Sequence, residues 1–121
     1  MSAPHTILIV EDNAQIRDTL ADLLAAPTRR VVGCGDGRGA FDFLARSTAD
    51  LLVTDIRLPD ISGLDIARHV VAGAPDFPVI VTSGYALPPL DFGRRVHTLQ
   101  KPFDIDELEA LIDRLLGVSP Q

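Results

Sequence analysis

The sequence predicts an α/β fold in which a doubly wound sheet of five parallel strands is covered by helices on both faces. Short apolar runs of strand length alternate with segments whose apolar residues recur at helical spacing. The first, third and fourth runs are apolar at nearly every position, which is typical of central strands buried on both faces. Strands that alternate with helices form right-handed βαβ units, and such units build a parallel sheet.

Five runs are predicted to be the strands, and the second of them, "RRVVGCG", has the weakest apolar character. Their ranges are 5–10, 29–35, 50–55, 77–83 and 95–101. Four segments between and after them are predicted to be helices, at 14–25, 38–46, 64–72 and 104–117. Asp104 and Glu107 have the spacing of a capping box at the start of the last helix, and Gly117 is expected to end it.

The segment between the fourth and fifth strands departs from this alternation. A helix is expected there by position, but the sequence is "YALPPLDFGRR". Pro88 and Pro89 lack amide donors and restrict the residue before them, while Gly93 adds backbone freedom. We therefore expect residues 85–95 to form a loop, or at most one helical turn.

Composition limits the class of protein. The 121 residues suit one domain, 1–121, and a net charge of −6 argues against a nucleic-acid partner. A single cysteine, Cys34, cannot form an internal disulfide and suits a reducing compartment. No apolar run approaches the ~20 residues that span a bilayer. We expect a soluble cytoplasmic domain with no membrane partner.

Polar residues stand at the carboxyl ends of four predicted strands. Glu11 and Asp12 follow the first strand, Asp55 ends the third, Thr82 ends the fourth and Lys101 ends the fifth. In open α/β sheets, functional groups gather beyond the carboxyl ends of the strands. If the first and third strands are neighbours, the three acids share one crevice.

Such an acidic cluster predicts a bound cation. Two carboxylates ~4 Å apart repel by roughly 4 kcal/mol at an effective dielectric of 20. A hard divalent ion with oxygen ligands suits them, whereas His5, His69 and His97 are too scattered for a zinc site. An aspartate beside a metal ion and a lysine can act as a nucleophile toward phosphorus, because both cations neutralise the transferring group.

Four motifs, in order, resemble the receiver domain of two-component response regulators. They are "ILIVEDN", "VTDIRLPDISGLD", "VIVTSG" and "LQKPF". The resemblance extends from about residue 6 to residue 116 and is to chemotaxis-regulator-like receivers. It implies a flavodoxin-like sheet in strand order 2-1-3-4-5.

The resemblance also implies a role for each residue of the acidic cluster and its neighbours. Asp55 is implied to be the phosphorylated residue. The implied ligands of Mg²⁺ (or Mn²⁺) are Glu11, Asp12, Asp55 and the backbone carbonyl of Arg57. The implied contacts to the phosphoryl group are Thr82 and Lys101, and the bond from Lys101 to Pro102 is implied to be cis.

Three positions depart from the family pattern. Glu11 stands where many members have Asp, and the interval from Thr82 to Lys101, 101 − 82 = 19, is short. Thr98 occupies the place of the usual aromatic switch residue, so Tyr85 of "TSGYA" is the candidate switch aromatic. The "TSGY" stretch with a degraded fourth helix resembles an atypical subgroup of free-standing regulators and hybrid histidine kinase segments.

The resemblance implies that the phosphoryl donor is a histidine kinase or a histidine phosphotransfer protein. Because no effector domain follows Gly117, output is expected through an unknown downstream protein. The chain is expected not to be an enzyme beyond its own phosphorylation and dephosphorylation. Two alternatives remain: a pseudo-receiver that binds proteins without phosphorylation, and a receiver segment of a hybrid histidine kinase. A flavodoxin-like cofactor protein is disfavoured, because Glu11 and Asp12 would repel a cofactor phosphate.

Overall fold

The apolar runs form a single parallel sheet in a computed structural model that describes residues 3–118. The strands are β1 (His5–Val10), β2 (Arg29–Cys34), β3 (Leu51–Asp55), β4 (Val79–Ser83) and β5 (Val96–Gln100). Their order across the sheet is β2-β1-β3-β4-β5, and every neighbouring pair is parallel. The predicted fold class and strand order are confirmed.

Four helices lie between and after the strands. They are α1 (Ala14–Leu24), α2 (Gly37–Arg46), α3 (Gly63–Gly73) and α4 (Ile105–Leu116). The first three are capped by the side chains of Asn13, Asp36 and Ser62, which accept amide hydrogen bonds from the first turn. Within residues 3–118, no helix combines the length and the apolar character that a bilayer span requires.

The capping box expected at the start of α4 does not form. Asp104 is the N-cap residue, but its side chain makes no capping hydrogen bond. The amide of Glu107, which a capping side chain would bind, donates instead to the backbone carbonyl oxygen of Asp104 at 3.1 Å. The expected end is confirmed, because Gly117 adopts the left-handed conformation, with φ 71°, that favours glycine.

Two apolar layers hold the helices on the sheet. On one face, Ile7 and Ile9 of β1 pack with Ile112 of α4, and on the other, Leu8 and Val10 pack with α2 and α3 residues. Successive residues of β1 therefore enter opposite layers, which explains why the run is apolar without alternation.

A loop without helical structure joins β4 to β5, as the two prolines predict. Its side chains Leu87, Leu90 and Phe92 are half-buried and pack against the second apolar layer. The guanidinium carbon of Arg68 lies 5.0 Å from the centre of the Phe92 ring. Among the described residues, the amides of 86–93 donate no hydrogen bond, so side-chain packing holds this loop in place.

Candidate functional site

The strand register brings the polar residues to one edge of the sheet. Val10, the last residue of β1, pairs with Thr54, so Glu11 follows at the level of Asp55. Asp55 pairs in turn with Thr82 of β4. The amide of Lys101 donates to the carbonyl oxygen of Ser83 at 2.7 Å, which places Lys101 beside the same edge.

Glu11, Asp12 and Asp55 form one acidic cluster. Each offers a carboxylate oxygen, and the three oxygens lie within 4.8 Å of one another. Glu11 is only 4% exposed, Asp55 is half-buried and Asp12 is exposed. Oxygen ligands at this separation fit a hard divalent ion such as Mg²⁺ or Mn²⁺, with water on the exposed side. The donor set therefore suits the implied metal.

Lys101 supplies a positive charge to the acidic cluster. Its Nζ donates to Glu11 Oε1 and to Asp55 Oδ2, each at 3.0 Å. Burial lowers the pKa of the Lys101 ammonium, but the hydrogen bonds and charges of the two carboxylates outweigh burial and raise that pKa. Three carboxylates face one ammonium, so the site keeps an excess of negative charge that a divalent cation can neutralise.

Further contacts fix Glu11. Its Oε2 accepts the amide of Asn13 at 3.1 Å, and its backbone carbonyl accepts Nη1 of Arg17 at 2.8 Å. The side chain of Arg17 packs over Gly33 and Gly35 at the end of β2. A β-carbon added at either glycine would come within 3.0 or 2.9 Å of that side chain. Arg17 was not among the site residues predicted from the sequence; the available signal was an arginine early in the helix that follows Glu11 and Asp12.

Gly63 sets the distance between α3 and Asp55. Its amide donates to the carbonyl oxygen of Ile56 at 2.9 Å, and a β-carbon at this position would overlap the carbonyl oxygen of Asp55. Only glycine permits this approach of the helix start to the end of β3. The predicted nucleophile thus ends a buried strand and is backed by a helix.

Thr82 and Lys101 line a cavity of about 510 Å³ together with Asp55. Glu11 also lines this cavity, and the rest of its lining is apolar: Ile9, Val10, Val53, Ile16, Leu20, Pro102 and Phe103. Arg57 lies with Asp55 and Lys101 along a second cavity of about 330 Å³. The bond between Lys101 and Pro102 is cis, as the resemblance implies.

Tyr85 borders two cavities, one shared with Asp55 and the other shared with Thr98. Its side chain is 49% exposed, and its amide donates to Ser83 Oγ at 3.1 Å. Tyr85 borders the 330 Å³ cavity that contains Asp55, and it also borders a cavity of about 280 Å³ beside Thr98. The tyrosine therefore has space on either side and is not held by close packing.

Comparisons with known proteins agree with these motifs. The profile of the response regulator receiver domain matches residues 7–113. The response regulator receiver protein CpdR of Brucella abortus is 30% identical over 114 residues, which cover 91% of this chain and 95% of CpdR. The transcriptional regulator NtrC of Azospirillum brasilense is 32% identical over 117 residues, but the chain spans only 24% of NtrC.

Solved structures show the same architecture. The response regulator TrrA of Thermotoga maritima, in complex with Mg(2+)-BeF, has a TM-score of 0.80 and 26% identity, covering 92% of this chain and 98% of TrrA. The receiver domain of the hybrid histidine kinase CckA has a TM-score of 0.75 and 31% identity, with the same coverage of both chains. From the profile match and the shared fold, this chain belongs to the response regulator receiver domain family.

Proposed function

We propose that this chain is the phosphoacceptor receiver of a two-component phosphorelay and that Asp55 accepts the phosphoryl group. The observation that carries the proposal is the placement of Asp55. It lies within 4.8 Å of Glu11 and Asp12 and 3.0 Å from the ammonium of Lys101. A carboxylate in these surroundings lies beside the ammonium of Lys101 and the acids that would hold a metal ion, which are the sources of positive charge that phosphoryl transfer requires.

The transfer step uses the two oxygens of Asp55 differently. Lys101 holds Oδ2, whereas Oδ1 accepts no hydrogen bond from residues 3–118. A carboxylate oxygen of Asp55 attacks the phosphorus of a phosphohistidine on the donor, which is a histidine kinase or a histidine phosphotransfer protein. The new O–P bond forms as the P–N bond breaks, and the leaving imidazole nitrogen keeps the electron pair. Water later attacks the phosphorus, the O–P bond to Asp55 breaks, and inorganic phosphate leaves while the carboxylate is restored.

The implied metal ligands suit this chemistry. Glu11, Asp12, Asp55 and the backbone carbonyl of Arg57 would hold Mg²⁺ (or Mn²⁺), which supplies positive charge against the transferring phosphoryl oxygens. The similarity to TrrA, whose structure is in complex with Mg(2+)-BeF, supports this assignment. Lys101 and the hydroxyl of Thr82 then bind phosphoryl oxygens. The chain changes only its own phosphorylation state, and in this sense it is not an enzyme.

We further propose that Tyr85 takes the place of the missing switch aromatic. Thr82 moves toward the phosphoryl group, and Tyr85 moves into the cavity beside Thr98. The amides of 86–93 donate no hydrogen bond within residues 3–118, and the amide of Tyr85 donates only to the side chain of Ser83, so this movement needs no backbone–backbone hydrogen bond of residues 85–93 to break. Beryllofluoride with Mg²⁺ should therefore change amide exchange in residues 85–95. Identical protection with and without beryllofluoride would exclude the switch, while leaving phosphorylation of Asp55 intact.

The similarity to the CckA receiver keeps a second context open, in which this sequence acts as the receiver of a hybrid histidine kinase. The proposed site chemistry is the same in both contexts. The proposed location is the cytoplasm, a reducing compartment that suits the single Cys34. The downstream protein is left to be found by affinity capture with the phosphorylated and unphosphorylated forms.

Intact-mass spectrometry after incubation with Mg²⁺ and acetyl phosphate tests the proposal. The wild type should gain the mass of one phosphoryl group, and Asp55→Asn should gain none. Asp22→Asn, which changes an exposed acid of α1, is the matched control and should behave like the wild type. A wild type that gains no mass from acetyl phosphate or from histidine kinases would instead favour the pseudo-receiver.

A further inference from the structure

Asp60 joins two segments that are distant in sequence. It lies in the loop between β3 and α3, and its carboxylate reaches the start of α2. Oδ1 accepts the amide of Gly37 and Oδ2 accepts the amide of Arg38, each at 2.9 Å. Oδ1 also accepts the amide of Ile61 in its own loop, at 3.0 Å. One side chain therefore attaches the loop to the first turn of the neighbouring helix.

Close packing supports the same contact. Gly37 is buried against Ile61, and a β-carbon at Gly37 would overlap that side chain. Ile61 in turn packs against the second apolar layer. The start of α2 and the loop are thus fitted to one another, and the carboxylate of Asp60 fixes their relative position.

The loop that Asp60 attaches to α2 begins directly after β3, the strand that ends in Asp55, and hydrogen bonds join its two ends. The amide of Ile56 donates to Thr82 and the amide of Gly63 donates to Ile56, both at 2.9 Å. Arg57 and Ser62 form an antiparallel bridge across the loop. The implied Arg57 carbonyl ligand therefore belongs to a small closed unit, and Asp60 connects that unit to α2.

We propose that Asp60 is a positioning residue for the metal and phosphoryl site, because it holds the loop that carries Arg57. This inference rests on the proposed function. Asp60 is not one of the three acids that come together at the sheet edge, so its effect passes through the loop. A role limited to capping α2 would make Asp60 equivalent to Asp36, whose Oδ1 accepts the amide of Gly39 at 2.7 Å.

Asp36 therefore provides a matched control. Asp60→Ala and Asp36→Ala each remove a capping carboxylate from the same helix, and both should lower the urea midpoint. Only Asp60→Ala should also weaken Mg²⁺ binding, by about tenfold, as loss of a supporting partner typically does. Isothermal titration measures the affinity, and fluorescence of Tyr85, the only tyrosine in a chain without tryptophan, provides a second signal. The rate of phosphorylation by acetyl phosphate at limiting Mg²⁺ should fall in the same proportion.

Asp60→Asn tests the inference if Asp60→Ala does not fold. The amides of Gly37 and Arg38 bind different oxygens of Asp60, and in asparagine one of these oxygens becomes an NH₂ group that cannot accept. In the same side-chain position, Asp60→Asn therefore keeps one of the two bonds and loses the other. Its Mg²⁺ affinity should lie between those of the wild type and Asp60→Ala. If the wild type binds no Mg²⁺ and gains no phosphoryl group, the proposed function fails. If the wild type does both, and the Asp60 variants bind Mg²⁺ as tightly as Asp36→Ala, the positioning role of Asp60 is excluded.

Discussion

Lys101 is the only lysine of the chain, and its ammonium lies between the buried Glu11 and the phosphoacceptor candidate Asp55. Without Lys101, the carboxylate of Glu11 would remain buried with no charged partner at hydrogen-bond distance. Oε2 of Glu11 would keep the amide of Asn13, but Oε1 would lose its partner, and a buried polar atom left unsatisfied typically costs about 1–3 kcal/mol. The ammonium therefore stabilises the metal-free protein, apart from any contact with a phosphoryl group.

Lys101→Met should lower the free energy of unfolding by about 1–3 kcal/mol in the absence of metal. The measurement is urea denaturation in chelator, followed by circular dichroism. Added Mg²⁺ should restore part of the loss, because the ion replaces the missing positive charge. Arg30→Met removes an exposed positive charge and serves as the control. An equal loss in both variants would contradict the pairing role of Lys101.

His97 gives the protein a pH dependence away from the acidic cluster. Burial and the positive charges of Arg114 and Arg95 lower the pKa of its imidazole from the ordinary 6.5, although Glu107 borders the same cavity. The unfolded chain then binds the proton more readily than the folded protein, so stability falls as pH drops below about 6.5. Urea midpoints between pH 7.5 and 5.5 should show this fall, and His97→Gln should flatten it. Arg114→Gln should reduce the slope, whereas an unchanged slope in both variants would contradict the prediction.

At the scale of elements, α3 and β3 meet at Gly63, where a side chain has no room. Gly63→Ala should push the helix start away from Asp55 and destabilise the fold, because the added carbon meets backbone rather than a flexible side chain. Gly73→Ala, at the other end of the same helix, meets nothing within 4 Å and should be neutral or stabilising by up to about 1 kcal/mol. The melting temperatures of Gly63→Ala and Gly73→Ala, measured by thermal unfolding, test this difference. Equal melting temperatures would mean that the start of α3 is not closely packed against the end of β3.

The elements that the sequence predicts well are those whose signal is local. The run 5–10 is apolar throughout because Ile7 and Leu8 enter different layers, and both layers are buried. Pro88 and Pro89 correctly excluded a helix, since the missing amides act wherever the chain lies. The acids at the strand ends met as expected, because parallel strands bring their carboxyl ends to one edge.

The contacts that the sequence did not predict join distant segments. Asp60 resembles an ordinary solvated loop acid in the sequence, and its amide partner Gly37 lies 23 positions earlier. Arg17 resembles a surface residue of an amphipathic helix, although it binds the carbonyl of Glu11. Asp104 and Glu107 have the spacing of a capping box, but the Asp104 side chain makes no capping hydrogen bond, because the amide of Glu107 already donates to a backbone carbonyl. Spacing alone does not show which of two acceptors an amide selects.

At the scale of the whole molecule, three acids of a chain with a net charge of −6 converge on one end of the sheet. Their mutual repulsion is a cost of folding that Lys101 offsets only in part. A cation that binds the folded edge, but not the unfolded chain, stabilises the fold in proportion to the logarithm of its concentration. Metal binding and global stability are therefore expected to be coupled.

Mg²⁺ should accordingly raise the urea midpoint of the wild type in a saturable way. At about 100 times the dissociation constant, the expected gain is about 2.7 kcal/mol, and removal of the ion by chelator should reverse it. Sodium chloride at matched ionic strength must be the reference, because screening alone relieves repulsion in an acidic chain. Asp55→Asn removes one ligand charge, so it should start from a higher metal-free stability and gain less from Mg²⁺. Equal gains from Mg²⁺ and sodium would show that the acids repel one another without forming a specific site.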